Sequence, residues 1–350
     1  MKKIKVLVID DSALSREIIS TGLAQDPVIE VIGTASDVYI ARDKIVKLKP
    51  DVLTLDIEMP GMDGLEFLKR LMPQYPIPVV VVSSLTQKGK EITLNALSLG
   101  AVDFIPKPSS GLAKGLSGML IELRTKIKLA SSANVAFWKD RRKVNYNDKK
   151  ESQIHILKES TDKVIAIGAS TGGTEAIRRI LSKLPANMPG IVIVQHMPPG
   201  FTKMFAESLN NITLMDVKEA KSDDRIMQGK VLIAPGDFQL KVVRTGGIYK
   251  TVCEKGDKVN GHCPSIDVFM KSVAENVGSN AYGVLLTGMG KDGANGLKMM
   301  RDSGSRNIAQ DEETSVVFGM PKVAWEIGAV EKLLPIETIA TYLINLIKKN

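Results

Sequence analysis

Lys163-Val164-Ile165-Ala166-Ile167-Gly168-Ala169-Ser170-Thr171-Gly172-Gly173-Thr174 reads as a buried strand, a glycine-rich turn and the start of a helix. Val164–Ile167 is a short apolar run, as expected of a parallel strand covered on both faces. The glycines permit a tight turn, and apolar residues then recur at three- and four-residue spacings over Thr174–Leu184. Working outward, Ile191–Val194, Val231–Ile233 and Val284–Thr287 are strand-like, and Ser265–Val277, Ala294–Asp302 and Ile336–Lys348 are helix-like. Gln239–Thr245 and Ile248–Cys253 flank Gly246-Gly247, a two-residue hairpin signal. Alternating strands and helices predict a mostly parallel α/β sheet, with the hairpin as an antiparallel insertion.

The N-terminal part repeats this logic. The runs Ile4–Ile9, Val28–Gly33, Val52–Leu55, Val79–Val82 and Val102–Ile105 alternate with helical patterns over Ser12–Leu23, Val38–Lys47, Leu65–Met72 and Lys90–Leu99. They predict a second doubly wound α/β domain, with Leu116–Leu129 as its last helix. Periodicity fades after residue 130, and Ser, Asn, Lys, Arg and Asp dominate Lys139–Ser152. The expected division is a first domain over 1–122, a linker over 123–160 and a second domain over 161–350. Trp138 either docks on a domain or is an exposed linker aromatic.

A chain of 350 residues has the length of two domains, and 44% hydrophobic with 25% charged residues exclude wholesale disorder. No apolar run approaches the roughly 18 residues of a membrane span. Met1-Lys2-Lys3 leads into Ile4–Ile9, too short a run for a signal peptide and without a small-residue cleavage site. Cys253 and Cys263 form no metal-ligand spacing. The expectation is a cytoplasmic protein with reduced thiols, without membrane insertion. The net charge of +8 raises nucleic-acid binding, but Glu122–Lys163 holds 11 Lys/Arg against 6 Asp/Glu. More than half of the excess thus lies in the linker, so a solvated basic segment is expected and no nucleic-acid partner.

Ligands of open α/β sheets bind beyond the carboxyl ends of the strands. In the first domain those ends carry Asp10-Asp11, Asp56, Ser83-Ser84 and Lys107-Pro108. Converging carboxylates imply a hard cation, and oxygen ligands suit Mg²⁺. A lysine and a hydroxyl complete a pocket for a phosphoryl group, with one aspartate as covalent acceptor. Ser84 is the alternative to Ser83. Any one such aspartate alone would more often be a loop cap.

In the second domain, Gly168-Ala169-Ser170-Thr171-Gly172 fits G-x-S-x-G, which exposes a serine at a helix N-terminus. A glycine-rich turn also suits a dinucleotide pyrophosphate, but that reading needs an acid about 20 residues on, at the end of the next strand. That strand ends in Gln195-His196-Met197-Pro198. A nucleophilic serine needs a base and an orienting acid. Of the three histidines, His155 lies in the linker and His262 in the loop after the hairpin, which leaves His196 as the base. Asp292, in Gly288-Met289-Gly290-Lys291-Asp292-Gly293-Ala294, is the candidate acid, with helix capping as its alternative role. The order Ser, His, Asp differs from the Ser, acid, His order of α/β-hydrolases.

The residues Asp10, Asp11, Asp56, Ser83 and Lys107, with Asp56-Ile57-Glu58-Met59-Pro60-Gly61-Met62-Asp63-Gly64, resemble the signature of a two-component receiver domain. The resemblance implies a flavodoxin-like (βα)5 fold. It also implies phosphorylation at Asp56, an Mg²⁺ site of Asp10, Asp11, Asp56 and the Glu58 carbonyl, and a cis Lys107–Pro108 bond. Gly168–Gly173, Gln195–Pro198, Ala234-Pro235-Gly236, His262–Asp267 and Thr287–Ala294 resemble the chemotaxis receptor methylesterase domain, so nearly the whole chain resembles the CheB family. That resemblance implies Ser170 as nucleophile, His196 as base and Asp292 as orienting acid. The backbone N–H groups near Thr171 and Met289 are the oxyanion-hole candidates. The implied activity is phosphorylation-activated hydrolysis of glutamyl methyl esters, with glutamine deamidation beside it and no cofactor for ester cleavage. The implied partners are methyl-accepting chemotaxis receptors as substrate and a chemotaxis histidine kinase as phosphodonor; a monomer is expected. Cys263 stands where the family usually has arginine. Two other output classes compete with this reading: a DNA-binding domain, which needs a helix-turn-helix that this glycine-rich α/β pattern lacks, and a non-catalytic nucleotide-binding domain.

Overall fold

The computed structural model describes residues 2–59, 64–84, 86–108, 113–139 and 162–348. The chain divides into two units, Met1–Val144 and Asn145–Asn350.

The first unit is built on β1 (Ile4–Ile9), β2 (Ile29–Ala35), β3 (Val52–Asp56), β4 (Val79–Ser83) and β5 (Asp103–Pro106), in the order β2-β1-β3-β4-β5. All its pairings are parallel. Strands β3 and β4 are buried along their whole length, which is why their sequences are unbroken apolar runs rather than alternating ones. Side-chain oxygens start three of the helices. Ser12 caps Ala13–Ala24, Asp37 caps Val38–Leu48, and Thr86 caps Gln87–Ser98 by accepting the Gly89 N–H at 2.9 Å. The strand order reverses between β1 and β3, so the crevice beyond their carboxyl ends lies beside Asp10, Asp11 and Asp56.

Two expectations are corrected in this unit. The linker does not begin at residue 123: the last helix runs over Ala113–Ala130 and a short 3-10 turn follows at Ala136–Trp138. Leu123, Ile127, Ala130, Val135 and Trp138 are all buried, and the Trp138 ring lies against Gly100. Apolar burial keeps this segment in the domain, and only its part beyond residue 130 is concealed by weak periodicity. The cis peptide bond among the described residues is Cys263–Pro264, and Lys107–Pro108 is not cis.

The second unit holds β6 (Val164–Ala169), β7 (Gly190–Gln195), β8 (Asp216–Glu219), β9 (Lys230–Ile233), the hairpin β10 (Gln239–Thr245) and β11 (Ile248–Glu254), then β12 (Ala281–Leu285), β13 (Arg306–Gln310) and β14 (Lys332–Leu334). Seven of these form a sheet in the order β14-β13-β12-β6-β7-β9-β8, with every pairing parallel. The hairpin is a separate antiparallel sheet closed by Gly246-Gly247. It packs on the helix Ile266–Asn276: Leu240 and Val242 share a buried cluster with Phe269, Met270 and Val273, and the Val242 N–H donates to Ser272 Oγ at 2.9 Å. Strands β8, β13 and β14 and the helices Phe201–Asn210 and Met320–Glu326 go beyond the elements read from the sequence. Strand β13 is buried but carries Asn307 and Gln310, whose amides bond to Leu297 O, Ala329 O and Thr314 O. Buried polar residues whose amide N–H groups find carbonyl partners only in three dimensions break the apolar signal.

A fragment of residues 1–122 is expected to lose most of its cooperative stability, whereas 1–139 should fold. Each buried apolar side chain removed is worth about 1.5–3 kcal/mol against a typical total of about 5–15 kcal/mol. Urea unfolding followed by circular dichroism checks this; equal midpoints would mean that residues 123–139 do not belong to the core.

Candidate active site and acidic pocket

In the second unit the chain leaves β6 for β7 on one side and later returns to β12 on the other. The crevice beyond the carboxyl ends of β6 and β12 is therefore a topological switch point. Register places the candidate residues around it. Ala169 pairs with Gln195, so Ser170 and His196 are the next residues of neighbouring strands, and the His196 N–H donates to Ala169 O at 3.1 Å. On the other side the Ser170 N–H donates to Thr287 O at 3.0 Å. Gly288 follows, pressed so close that a Cβ there would sit 2.7 Å from Ser170 Cβ and 2.4 Å from Met320 Sδ. No side chain fits at that position.

The three side chains form one chain of contacts. His196 Nδ1 lies 3.1 Å from Ser170 Oγ, and His196 Nε2 lies 2.9 Å from Asp292 Oδ2. Asp292 is 2% exposed. Its Oδ1 accepts from Asn260 Nδ2 at 2.8 Å, Ser265 Oγ at 2.8 Å and the Asp267 N–H at 3.2 Å, and its Oδ2 accepts from the Ile266 N–H at 2.7 Å. Burial alone would raise its pKa. The bonds from His196, Asn260 and Ile266, with the adjacent imidazole, outweigh burial and lower it from 3.8 to about 2. An ionised carboxylate on Nε2 favours the tautomer with its proton there, which leaves the Nδ1 lone pair facing Ser170.

Several supporting groups carry no signal of their role in the sequence. Gln195 Nε2 donates to Ser170 O at 2.9 Å and to His196 O at 3.2 Å, tying the two loops together. Asn260, Ser265 and the first N–H groups of the helix Ile266–Asn276 hold the acid. His262, in the loop after the hairpin, stacks on His196 with ring centroids 3.6 Å apart and planes 11° apart. The Asn260-Gly261 pair was a readable turn signal, but nothing local says what the turn touches. Thr171 is buried and its carbonyl accepts from Thr287 Oγ1 at 3.0 Å; Met289 is exposed at the crevice, one residue beyond Gly288. Burial raises the pKa of the half-buried Cys263 thiol, and Asp237 adds to the effect. His155 lies outside the described residues.

In the first unit, Asp10 and Asp56 are buried and Asp11 is exposed, and one carboxylate oxygen from each lies within 4.8 Å of the others. Lys107 Nζ donates to Asp10 Oδ2 at 3.0 Å and to Asp56 Oδ2 at 2.5 Å. Burial raises the Asp10 pKa, with Asp56 adding to it and Lys107 opposing it. Burial opposes the charge on Lys107 too, but Asp56 and Asp10 prevail and raise its pKa. One ammonium facing three carboxylates leaves negative charge to be matched, and an all-oxygen donor set fits a hard divalent cation. Arg16 Nη1 bonds the carbonyls of Asp10 and Asp11 at 2.8 and 2.9 Å and shapes this loop, another contact the sequence hid. The Glu58 side chain is exposed, and its N–H donates to Asp56 Oδ1 at 2.9 Å. The Ser83 hydroxyl, 1% exposed, bonds Gly89 O and accepts from Thr93 Oγ1 at 2.7 Å, while Ser84 Oγ bonds Thr86 Oγ1. Pro60–Asp63 lie outside the described residues.

These features define a class: a flavodoxin-like domain with an acidic pocket, joined in one chain to an α/β domain with a Ser–His–Asp arrangement. Residues 6–113 match the model of the response regulator receiver domain, and residues 165–343 match that of the CheB methylesterase. The chain belongs to the CheB methylesterase family. It is 64% identical over 348 residues to a protein of Syntrophotalea carbinolica named protein-glutamate methylesterase/protein-glutamine glutaminase, covering 99% of both chains. A Pseudomonas aeruginosa protein with that name, numbered 2, is 49% identical over 342 residues, covering 98% of this chain and 96% of its own. The crystal structure of the Thermotoga maritima CheB methylesterase catalytic domain superimposes with a TM-score of 0.52 at 42% identity, covering 53% of this chain and all of that one. Among the described residues no helix is long and apolar enough to cross a membrane.

Because the folded pKa of Asp292 is depressed, its ionisation contributes stability above about pH 4 that is lost as pH falls through about 2. The stability difference between wild type and Asp292→Asn should therefore shrink by about 2 kcal/mol on acidification across that window. Urea titrations at several pH values read it; a difference that does not change with pH would mean that the carboxylate is not held ionised by its partners.

Proposed function

We propose that this protein is a phosphorylation-activated serine esterase that hydrolyses glutamate methyl esters on methyl-accepting chemotaxis receptors, and deamidates receptor glutamines, during chemotactic adaptation. The observation that carries the reading is the contact chain from Ser170 Oγ through His196 to the ionised Asp292. Family membership and the relatives' names support it.

In this mechanism Ser170 Oγ attacks the γ-carbonyl carbon as its proton passes to His196 Nδ1. Asp292 holds the ring by the Nε2 proton and stabilises the imidazolium. The backbone N–H groups of Thr171 and Met289 receive the oxyanion at the N-terminus of the helix Gly173–Leu181. His196 Nδ1–H then protonates the departing methoxide, and methanol leaves an acyl-serine. Water, deprotonated by His196 Nδ1, attacks that ester; collapse returns the proton to Ser170 Oγ and frees the glutamate. With a glutamine substrate the leaving group is ammonia and the same residues act. No cofactor enters this cycle.

The receiver domain, through residue 139, restrains the catalytic domain from residue 162 onward until Asp56 is phosphorylated by a chemotaxis histidine kinase. Asp10, Asp11, Asp56 and the Glu58 carbonyl would hold Mg²⁺, which when bound offsets the charge of an incoming phosphoryl group. Lys107 exchanges its Asp56 carboxylate for a phosphoryl oxygen, and Ser83 donates to another. The protein works in the cytoplasm as a monomer, with no nucleic-acid partner.

Methanol release from methylated receptor membranes tests the reading. Ser170→Ala should lower kcat/KM by about 10³-fold or more, and Asp292→Asn should lower kcat by about 10⁴-fold because the amide favours the wrong imidazole tautomer. Asp56→Asn should abolish stimulation by a small-molecule phosphodonor with Mg²⁺. Release that survives in Ser170→Ala would remove the nucleophile assignment, and stimulation that survives in Asp56→Asn would move the acceptor elsewhere.

A further inference from the structure

The base and the acid share a neighbour that the mechanism above does not use. Val259 and His262 exchange both backbone hydrogen bonds, each at 3.0 Å, and so close a two-residue turn at Asn260-Gly261. Asn260 has φ +54° and Gly261 φ +84°, the left-handed pair that such a tight turn requires. The turn delivers two side chains to the site. Asn260 Nδ2 bridges two carboxylates, Asp292 Oδ1 at 2.8 Å and Asp267 Oδ2 at 2.7 Å. His262 lays its ring parallel to that of His196 at 3.6 Å.

We propose that the Val259–His262 turn is a positioning element for the catalytic pair, with Asn260 locking the acid and His262 locking the ring plane of the base. The proposal rests on the assignment of Ser170, His196 and Asp292 in the preceding subsection. The physics is differential. The Nε2–Asp292 contact fixes one edge of the His196 imidazole but leaves the ring free to swing about the line between its two contacts. A second ring against its face removes that freedom and holds Nδ1 on Ser170 Oγ. When His196 takes the serine proton it becomes a cation, and an aromatic face at stacking distance favours that state over the neutral ground state. Asn260 acts on the other partner. Asp267 and Asp292 are neighbouring carboxylates, and proximity to Asp292 raises the Asp267 pKa further beyond the effect of its burial. A neutral amide donating to both keeps them in place without adding charge.

The test uses the full-length protein, methylated receptor membranes and methanol release, with Ser170→Ala as the control for the underlying assignment. His262→Ala should lower kcat about tenfold with KM unchanged, since the ring acts on the base and not on ground-state binding. His262→Phe restores a flat ring and should return kcat to within about twofold of wild type. Asn260→Gly keeps the left-handed turn while deleting the amide, so it separates the bridge from the backbone and should also lower kcat about tenfold at unchanged KM. Thermal unfolding of each variant, followed by circular dichroism, confirms that the rates compare folded proteins. Release that persists in Ser170→Ala overturns the nucleophile assignment and this inference with it. Loss in Ser170→Ala beside wild-type kcat in His262→Ala and Asn260→Gly overturns the inference alone. Equal losses in His262→Ala and His262→Phe would also overturn the role given to the ring face.

Discussion

A carboxylate kept ionised in the interior is the constraint on which the second domain's site depends. Asp292 is almost wholly removed from water, and its charge survives because five groups converge on it: His196, Asn260, Ser265 and the N–H groups of Ile266 and Asp267. Removing a buried charge's partners is costly, so the elements supplying them are held in fixed relation. The helix Ile266–Asn276 points its N-terminus at the carboxylate, and its capping residue Ser265 serves the helix and Asp292 together. The hairpin packs behind that helix. A large part of the domain's architecture thus sets the orientation of one imidazole.

The receiver domain poses the same electrostatic problem and reaches a different balance. Asp10 is as buried as Asp292, yet its pKa rises where that of Asp292 falls. Asp292 is surrounded by donors, and its carboxylate neighbour Asp267 is bridged to it by the Asn260 amide. Asp10 shares Lys107 with Asp56 and feels the repulsion of that neighbour. One pocket is electrostatically complete, with donors matched to its carboxylate. The other retains uncompensated negative charge, which an all-oxygen donor set could match with a hard divalent cation.

The elements that were legible were those whose burial is continuous. Val79–Val82 and Val164–Ile167 face protein on both sides, so the chain itself carries their signal. The Gly246-Gly247 hairpin was legible because a two-residue turn has few sequence solutions. Strand β14 was hidden by its length of three residues, and β8 by having a single buried side chain. The segment after the last helix of the first unit was hidden because Val135 and Trp138 lie in no regular α-helix, and their burial is a fact of packing rather than of period.

By itself the sequence determined which groups stand at the carboxyl ends of the strands: Asp10, Asp11, Asp56 and Lys107 in one domain, Ser170 and His196 in the other. Parallel strands present their ends on one edge, so that much follows from chain order. What surrounds those groups was decided by tertiary structure alone. His262 and Asn260 are distant in sequence from both His196 and Asp292, and they reach the site because the hairpin and the turn after it fold back onto it. Hydrogen bonds and ring contacts act over a few ångströms in space. No residue spacing along the chain encodes a stack between His196 and His262, or the convergence of donors that keeps Asp292 charged.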